Sequence, residues 1–339
     1  CECVCVCAFG AMQSGIKDYY KLEDAHNRNR LHRRRGTGPP KFVDFFAGIG
    51  GASEGAAQAG YEVVLAVDAD QAAIELHARN HPQCTHLCCA LPPTVPLPLP
   101  GADETWHLHG SPPCTEVSVA NQNRIEEKRD GAIGLIKWYI EFALASSATS
   151  WSMEQVASPI VLRYLETLKA PKAPHRNRFA YAVVNFYDYG VPQLRRRVIA
   201  GSPEVVAHLL RVTPWHRCVA DVIVAPRGTH LRNRLRWSNN KPDPTGEKKW
   251  IYKKYTDEDS CAPITGPARC VVAGHPLRWA RPNRDFKPVG LTPKEQAMLQ
   301  CFPFGYYFGE HTGTAIRCIG NALPPIVMQQ LLSHKRKRA

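Results

Sequence analysis

Apolar and polar positions change rhythm several times along the chain. Phe42-Val43-Asp44-Phe45-Phe46 is a short apolar run ending in a glycine-rich turn, Ala47-Gly48-Ile49-Gly50-Gly51. This predicts a buried strand followed by a helix over 52–59. Residues 63–67 predict a second buried strand closed by Asp68, with a helix beginning at Asp70. Further strands are predicted at 106–109, 151–156, 179–186 and 198–200, with helical stretches between most of them. Helices are expected at 203–211, at 292–299 and around 326–332. Strands alternating with helices predict an α/β protein built on a doubly wound, mostly parallel sheet covered on both faces. The stretch 91–100, LPPTVPLPLP, is too rich in proline for a ladder and reads as a loop. Residues 261–276 read as a strand-and-turn element, whereas 226–260 show no clear period.

Composition narrows the class of protein. A chain of 339 residues suggests about two domains and can bury a sizeable core unaided. A hydrophobic content of 44% excludes a wholly disordered chain. No apolar run reaches the ~18 residues of a membrane span, so no membrane association is expected. The 43 Lys and Arg exceed the 30 Asp and Glu by a net charge of +13, which favours a polyanionic partner, nucleic acid ahead of a membrane surface.

Thirteen cysteines, an odd number without a secretion signal, point to reduced thiols. A cytoplasmic location, or a nuclear one in a eukaryote, is expected rather than secretion. Cys1, Cys3, Cys5 and Cys7 lack the CxxC spacing of a zinc site, and no metal is expected. Residues 1–40 read as a basic tail carrying Arg28, Arg30, Arg33, Arg34 and Arg35; residues 335–339 form a second basic tail.

Four places carry candidate chemistry. Glycines between a strand and a helix let a backbone approach a ligand, and an acid about 20 residues on, Asp68, can accept both hydroxyls of a ribose. A tight turn with a helix cap is the plainer reading of the same residues. Gly110-Ser111-Pro112-Pro113-Cys114 follows a strand end and presents a thiol after two stiffening prolines. Trp151-Ser152-Met153-Glu154-Gln155-Val156 sets a carboxylate between apolar residues, suited to holding or relaying a proton. In Gln193-Leu194-Arg195-Arg196-Arg197 the first and third arginines share one face if they open a strand, where two guanidiniums suit a carbonyl or phosphate. Taken singly, a buried cysteine after a rigid turn is the better reading of the first of these three, a solvated glutamate explains the second equally well, and a basic strand edge is the plain reading of the third.

Together, in this order and spacing, the four motifs resemble the DNA (cytosine-5) methyltransferase family. DFFAGIGG is similar to its cofactor motif, GSPPC to its nucleophile motif, MEQV to its Glu-Asn-Val motif and QLRRR to its Gln-x-Arg-x-Arg motif. Two further matches run from Leu291-Thr292-Pro293 to Cys301-Phe302-Pro303 and over Gly320-Asn321-Ala322-Leu323-Pro324-Pro325. The resemblance covers about 41–333. It implies a Rossmann-like, S-adenosylmethionine-dependent methyltransferase fold with a small inserted target-recognition region.

The resemblance further implies that S-adenosylmethionine is the cofactor, held by Phe45, Ala47, Gly48, Gly50, Gly51, Asp68, Pro112 and Asn321. Double-stranded DNA is the implied partner, touched by Ser118, Gln193, Arg232, Arg234 and Arg236. Cys114 is the implied nucleophile toward C6 of a flipped-out cytosine, Glu154 holds N3 and the exocyclic amine, and Arg197 with Arg195 holds O2 and phosphate. The implied layout is a catalytic and cofactor-binding domain over 41–215, a target-recognition region over 216–289 and a returning segment over 290–334. A monomer with no obligate protein partner is expected.

Three departures from the family pattern stand out. Ala69 replaces an aromatic after the ribose-binding acid, no Asp occurs near Ala90, and Gln155 replaces the usual Asn. A tRNA cytosine-5 methyltransferase and a catalytically weakened DNA-binding relative are the alternative readings. The former carries a Cys-Phe-Thr signature not found here. Within 226–260, nine Lys or Arg face five Asp or Glu, and Arg232, Arg234 and Arg236 alternate. So small a segment is expected to read roughly two to four base pairs.

Overall fold

The computed structural model describes residues 38–113, 126–223, 230–232, 261–262, 264–273, 277–280 and 289–333. The first half alternates as expected: β1 (Lys41–Phe45), α1 (Gly51–Gln58), β2 (Glu62–Asp68), α2 (Gln71–Asn80), β3 (Thr85–Cys88), β4 (Trp106–Gly110), α3 (Glu126–Ala145), β5 (Ser150–Val156) and α4 (Pro159–Lys169). It continues with β6 (Ala180–Asn185), β7 (Gln193–Leu194), β8 (Arg196–Gly201) and α5 (Pro203–Leu210). Seven strands form one sheet in the order β3-β2-β1-β4-β5-β8-β6. The pairs β3-β2-β1-β4-β5 are all parallel, and β8 is antiparallel to both β5 and β6. The sheet reverses its winding between β1 and β4, the point where ligands bind outside the carboxyl ends of the strands.

Alternation along each strand divides the core in two. Val43, Phe45, Leu65, Val67, Leu108 and Met153 pack beneath Ile136, Tyr139 and Ile140 of α3 and Val161 and Leu165 of α4. Phe42, Ala66 and Ile199 face the other way, toward Ala52 and Ala56 of α1 and Val205 and Leu209 of α5. Near the end of the chain come α6 (Pro293–Leu299), α7 (Thr312–Asn321) and α8 (Pro325–Leu332); the last completes that second layer, with Val327, Met328 and Leu331 covering α1. A capping box starts α6, Thr292 Oγ1 accepting from Glu295 N and the Glu295 carboxylate from Thr292 N.

Three features were not legible in the sequence: β3, α7 and a second sheet. The last pairs β10 (Cys261–Ala262), β9 (His230–Arg232), β12 (Arg278–Ala280) and β13 (Val289–Gly290), all antiparallel. Strands of two or three residues carry too little pattern to be recognised alone. β11 (Ala268–Arg269) instead pairs with β7 of the catalytic half. Val219, Ile223, Ala268, Val271, Leu277 and Trp279 join Ile49, Leu76, Leu299 and Ile319 in a third core. Much of the stretch assigned to target recognition is thus bound to the catalytic fold at its described ends. The tails, and most of 226–260, lie outside the described residues. Among the described residues no helix is long and apolar enough to cross a membrane.

Polar side chains are buried in connected chains rather than singly. On β4 and β5, His107 lies within 2.8 Å of Ser150 Oγ and Ser152 Oγ, while His109 joins Ser152 Oγ (2.9 Å) to Ser111 Oγ (3.0 Å). Burial depresses the His109 pKa to about 3. Above pH ~6.5 both folded and unfolded states are neutral; below it the unfolded chain takes a proton that the folded one refuses, so stability falls as pH falls. This group alone should cost about 2 kcal/mol between pH 6.5 and 5. Urea unfolding of the wild type and of His109→Gln should show that pH dependence shrinking in the variant. Equal pH slopes would remove His109 as its source.

Candidate active site

The turn after β1 brings backbone and carboxylate together. Phe46 (φ 56°) and Gly48 (φ 54°) both adopt the left-handed region, which a phenylalanine rarely does. Gly48 N–H donates to Asp68 Oδ2 and Asp70 N–H to Asp68 Oδ1, each at 2.8 Å. A Cβ built on Gly48 would meet nothing within 4 Å, so the space above this turn is open. Gly51 is different: a Cβ there would lie 2.2 Å from Leu323 O, and only glycine lets the segment after α7 close against the turn. That contact brings the exposed Asn321 end of α7 alongside.

Asp68 is half-buried, and desolvation raises its carboxyl pKa against the amides that lower it. A carboxylate offers about four lone-pair sites, and two hold backbone amides. The other two fit the paired hydroxyls of a ribose, so the donor set suits an adenosine-bearing cofactor. Asp70 caps α2 through Ala72 N and Ala73 N and pairs with Arg317, which holds its carboxyl below the usual range. Arg317 was not singled out in the sequence; nothing near it in the chain marks a partner 247 residues away.

The second part of the site lies at the ends of β4 and β5. Ser111 N–H donates to Phe45 O at 3.2 Å, carrying the turn over the end of β1. Gln155 Nε2 donates to Pro112 O at 3.0 Å, and Val156 N–H donates to Gln155 Oε1 at 2.7 Å. The buried Gln155 thus holds the proline turn from below, and its extra methylene still reaches. Gly110 is required under this turn, because a Cβ there would lie 2.3 Å from the Tyr139 ring. Cys114 and Ser118 lie outside the described residues.

Glu154 and Arg197 meet across adjacent strands. β5 and β8 are antiparallel with Val156 opposite Arg197, and Glu154 Oε1 sits 2.8 Å from Arg197 Nε. Both side chains are nearly buried, at 8% and 14% exposure. The Arg197 guanidinium extends to within 3.9 Å of Cys270 Sγ.

Three expectations require correction. Arg195 does share the Cys270 side with Arg197, but its guanidinium is fully enclosed and donates to Val271 O (2.9 Å), Gly320 O (3.3 Å) and Ala322 O (3.2 Å). It is engaged in joining β8 to the loop after β11 and the end of α7, not free for a phosphate. Gln193 is likewise consumed internally: Nε2 donates to Leu299 O and Gln300 Oε1, and Oε1 accepts from Val271 N. It therefore cannot touch DNA by its side chain. Phe45 turns its ring into the core, stacked on Trp138 with centroids 6.2 Å apart, and the turn itself is occupied by Phe46. β-strand alternation explains the exchange, since Phe45 shares the face of Val43. Ala47 is buried beside α1, its N–H donating to Val67 O. The backbone of Arg232 lies in β9, whereas Arg234 and Arg236 fall outside the described residues.

A seven-stranded sheet with one antiparallel strand, a glycine turn after β1 and an acid after β2 define a Rossmann-like S-adenosylmethionine-dependent methyltransferase fold. The family profile described as C-5 cytosine-specific DNA methylase matches residues 40–203 and 230–336. The chain belongs to that family, whose methyl donor is S-adenosylmethionine and whose reaction is methylation of cytosine. It is similar to the type II methyltransferase M.HgiDI of Herpetosiphon aurantiacus, 26% identical over 295 residues that cover 84% of this chain and 90% of the relative. The type II methyltransferase M.DdeI of Desulfomicrobium norvegicum is 28% identical over 367 residues, covering 85% and 86%. Among solved structures, a DNMT2 mutant from Spodoptera frugiperda shares the fold at a TM-score of 0.54 and 16% identity, covering 86% of this chain and 98% of its own. Dnmt2 of S. pombe does so at 0.53 and 13%, covering 87% and 97%.

Proposed function

We propose that this chain methylates C5 of cytosine in double-stranded DNA through a covalent bond between Cys114 Sγ and C6 of a base rotated out of the helix. The observation that supports this most directly is the Glu154–Arg197 pair beside the Gln155-held proline turn. One carboxylate and one guanidinium, nearly buried at the ends of β5 and β8, complement a cytosine edge: the acid toward N3 and the amine, the base toward O2. A cytosine stacked in a duplex cannot reach such a recess, so the base must leave the stack.

In this reading the Cys114 thiolate adds to C6, N3 takes up a proton from water that the Glu154 carboxylate holds in place, and electron density moves to C5; N3 returns that proton to water when the thiolate leaves. S-adenosylmethionine supplies the methyl group. Loss of the C5 proton then expels Cys114 and restores the aromatic ring. Asp68, Gly48 and Gly51 hold and orient the cofactor, Pro112 and Asn321 border it, and Arg195 acts as a positioning residue. Residues 216–289 are assigned to target recognition, with Arg232, Arg234 and Arg236 facing DNA, and the working unit is a monomer.

Incubation with tritiated S-adenosylmethionine should label duplex DNA and not tRNA; label in tRNA alone would overturn the substrate, and label in neither the activity. Asp68→Ala should weaken S-adenosylmethionine binding by about 10-fold or more, the loss expected for charge-assisted hydrogen bonds. Calorimetry with an unchanged dissociation constant would show that the adenosine lies elsewhere.

A further inference from the structure

Beside the glycine turn, against Gly50, three histidines and a cysteine converge. They come from a stretch of ten residues, His77-Ala78-Arg79-Asn80-His81-Pro82-Gln83-Cys84-Thr85-His86. His77 lies in the last turn of α2, His81 caps that helix, Cys84 follows in the connecting turn and His86 is on β3. The parallel pairing of β2 with β3 folds this segment back, so that one donor atom each from His77, Cys84 and His86 lies within 4.8 Å of the others. His77 Nδ1 is 2.9 Å from His86 Nε2. His77 and Cys84 are buried, and His86 is half-buried.

The surroundings fix how His77 is presented. Ser53 Oγ donates to the fully buried Asp44 carboxylate at 2.7 Å, so its one proton is already engaged. Burial pushes the Asp44 carboxyl up to about 7, and where it is ionised the 2.9 Å contact from His77 Nε2 to Ser53 Oγ is a donation by the imidazole. The proton then sits on Nε2, and the Nδ1 lone pair points at His86 and Cys84. A histidine whose outer nitrogen is tied to a carboxylate relay while the inner one faces further donors is the outer-shell arrangement of a metal ligand. Without a metal the rings still satisfy one another, His77 Nδ1 with His86 Nε2 at 2.9 Å and His81 Nε2 with Tyr306 Oη at 3.3 Å, so it is the convergence of two imidazole nitrogens and a thiol on one point that marks a ligand set.

We propose that His77 Nδ1, Cys84 Sγ and His86 Nε2 bind a zinc ion, with the fourth position taken by water. Two imidazoles and a thiolate match the borderline softness of Zn²⁺ and exclude Mg²⁺ and Ca²⁺, which require oxygen donors. Tetrahedral zinc sets such donors about 3.3–3.6 Å apart, so binding needs side-chain rotations that open the 2.9 Å separation of the two imidazole nitrogens slightly and draw donors now up to 4.8 Å apart inward by about 1 Å. The thiol proton of Cys84 leaves as the metal enters, while the proton on His86 Nε2 exchanges to Nδ1, so that both imidazoles bind as neutral rings. His81 stays outside the ligand set, 3.3 Å from Tyr306 Oη. The ion ties the end of α2 to β3 and, through Ser53 and Asp44, to α1 and β1. It thus braces the cofactor turn at Gly50: a Cβ there would lie 2.9 Å from His77 Cδ2. A brace of this kind takes no part in methyl transfer.

The test uses the full chain with Cys1, Cys3, Cys5 and Cys7 replaced by Ser, so that the cysteine-rich start cannot contribute metal. After chelation and reloading with Zn²⁺, mass spectrometry of the gel-filtered protein should find about one zinc per chain. Loading with Co²⁺ should give tetrahedral d–d bands and a thiolate-to-cobalt charge-transfer band. Cys84→Ser should abolish the charge-transfer band, His86→Ala should abolish stoichiometric retention, and Ser53→Ala should weaken zinc affinity by about 10–100-fold. Zinc should also raise the melting temperature of the parent protein. Absence of retained zinc and of the cobalt charge-transfer band in the parent, which needs no variant to fold, would overturn the proposal. So would retention undiminished in both Cys84→Ser and His86→Ala.

Discussion

Cys114→Ala should abolish methyl transfer, lowering turnover by about 10⁴-fold or more, while DNA binding and the circular dichroism spectrum should stay as in the wild type. The magnitude follows from deleting a covalent nucleophile: without addition at C6, cytosine C5 has almost no nucleophilic character to offer. Fold and binding should survive because the change removes one sulfur, and the preceding residues Ser111 and Pro112 are held independently of it, by Phe45 O and by Gln155. Wild-type protein trapped on DNA containing 5-fluorocytosine should form an adduct that resists denaturant, since fluorine at C5 blocks the elimination that releases the enzyme. The alanine variant should form none. Turnover at the wild-type rate in Cys114→Ala would remove the thiol from the mechanism.

The catalytic half of the fold was legible because its strands are buried on both faces and read as continuous apolar runs. 41–45, 62–68 and 150–156 each fall within a residue or two of the expected bounds. What could not be read was where polar side chains end up. Gln193, Arg195 and Arg197 look alike in the sequence as members of one basic motif. Only the packing separates them: Gln193 and Arg195 meet main-chain groups of residues 271, 299, 320 and 322, and Arg197 meets Glu154. Those partners are distant in the chain, and no local period encodes them. Phe45 and Phe46 part for a different reason: Phe45 continues the strand alternation into the core, whereas the left-handed turn at Phe46 breaks it. The histidine cluster did leave a signal, two histidines one helical turn apart followed by Cys-x-His, but a search confined to CxxC spacings passes over it.

Glu154→Gln should lower turnover by about 10²–10³-fold with little change in S-adenosylmethionine affinity. Glutamine keeps the shape and an acceptor for the exocyclic amine but has no negative charge to balance a proton on N3. The loss therefore falls on the step in which charge develops in the ring, the behaviour of a missing electrostatic stabiliser. Formation of the 5-fluorocytosine adduct should slow by the same factor, because addition of Cys114 is the step that needs the charge. Adduct formation at an unchanged rate would move Glu154 out of the addition step.

The substitution also leaves Arg197 facing a neutral amide at 14% exposure, so a stability loss of about 3 kcal/mol is expected alongside. Rates are therefore compared below the onset of unfolding, and a double-mutant cycle with Arg197→Gln separates the two effects. If the pair acts as a unit toward the base, the double variant is nearly as slow as Glu154→Gln alone and more stable than it. If the two residues merely satisfy each other's charge, the double variant instead recovers turnover along with stability.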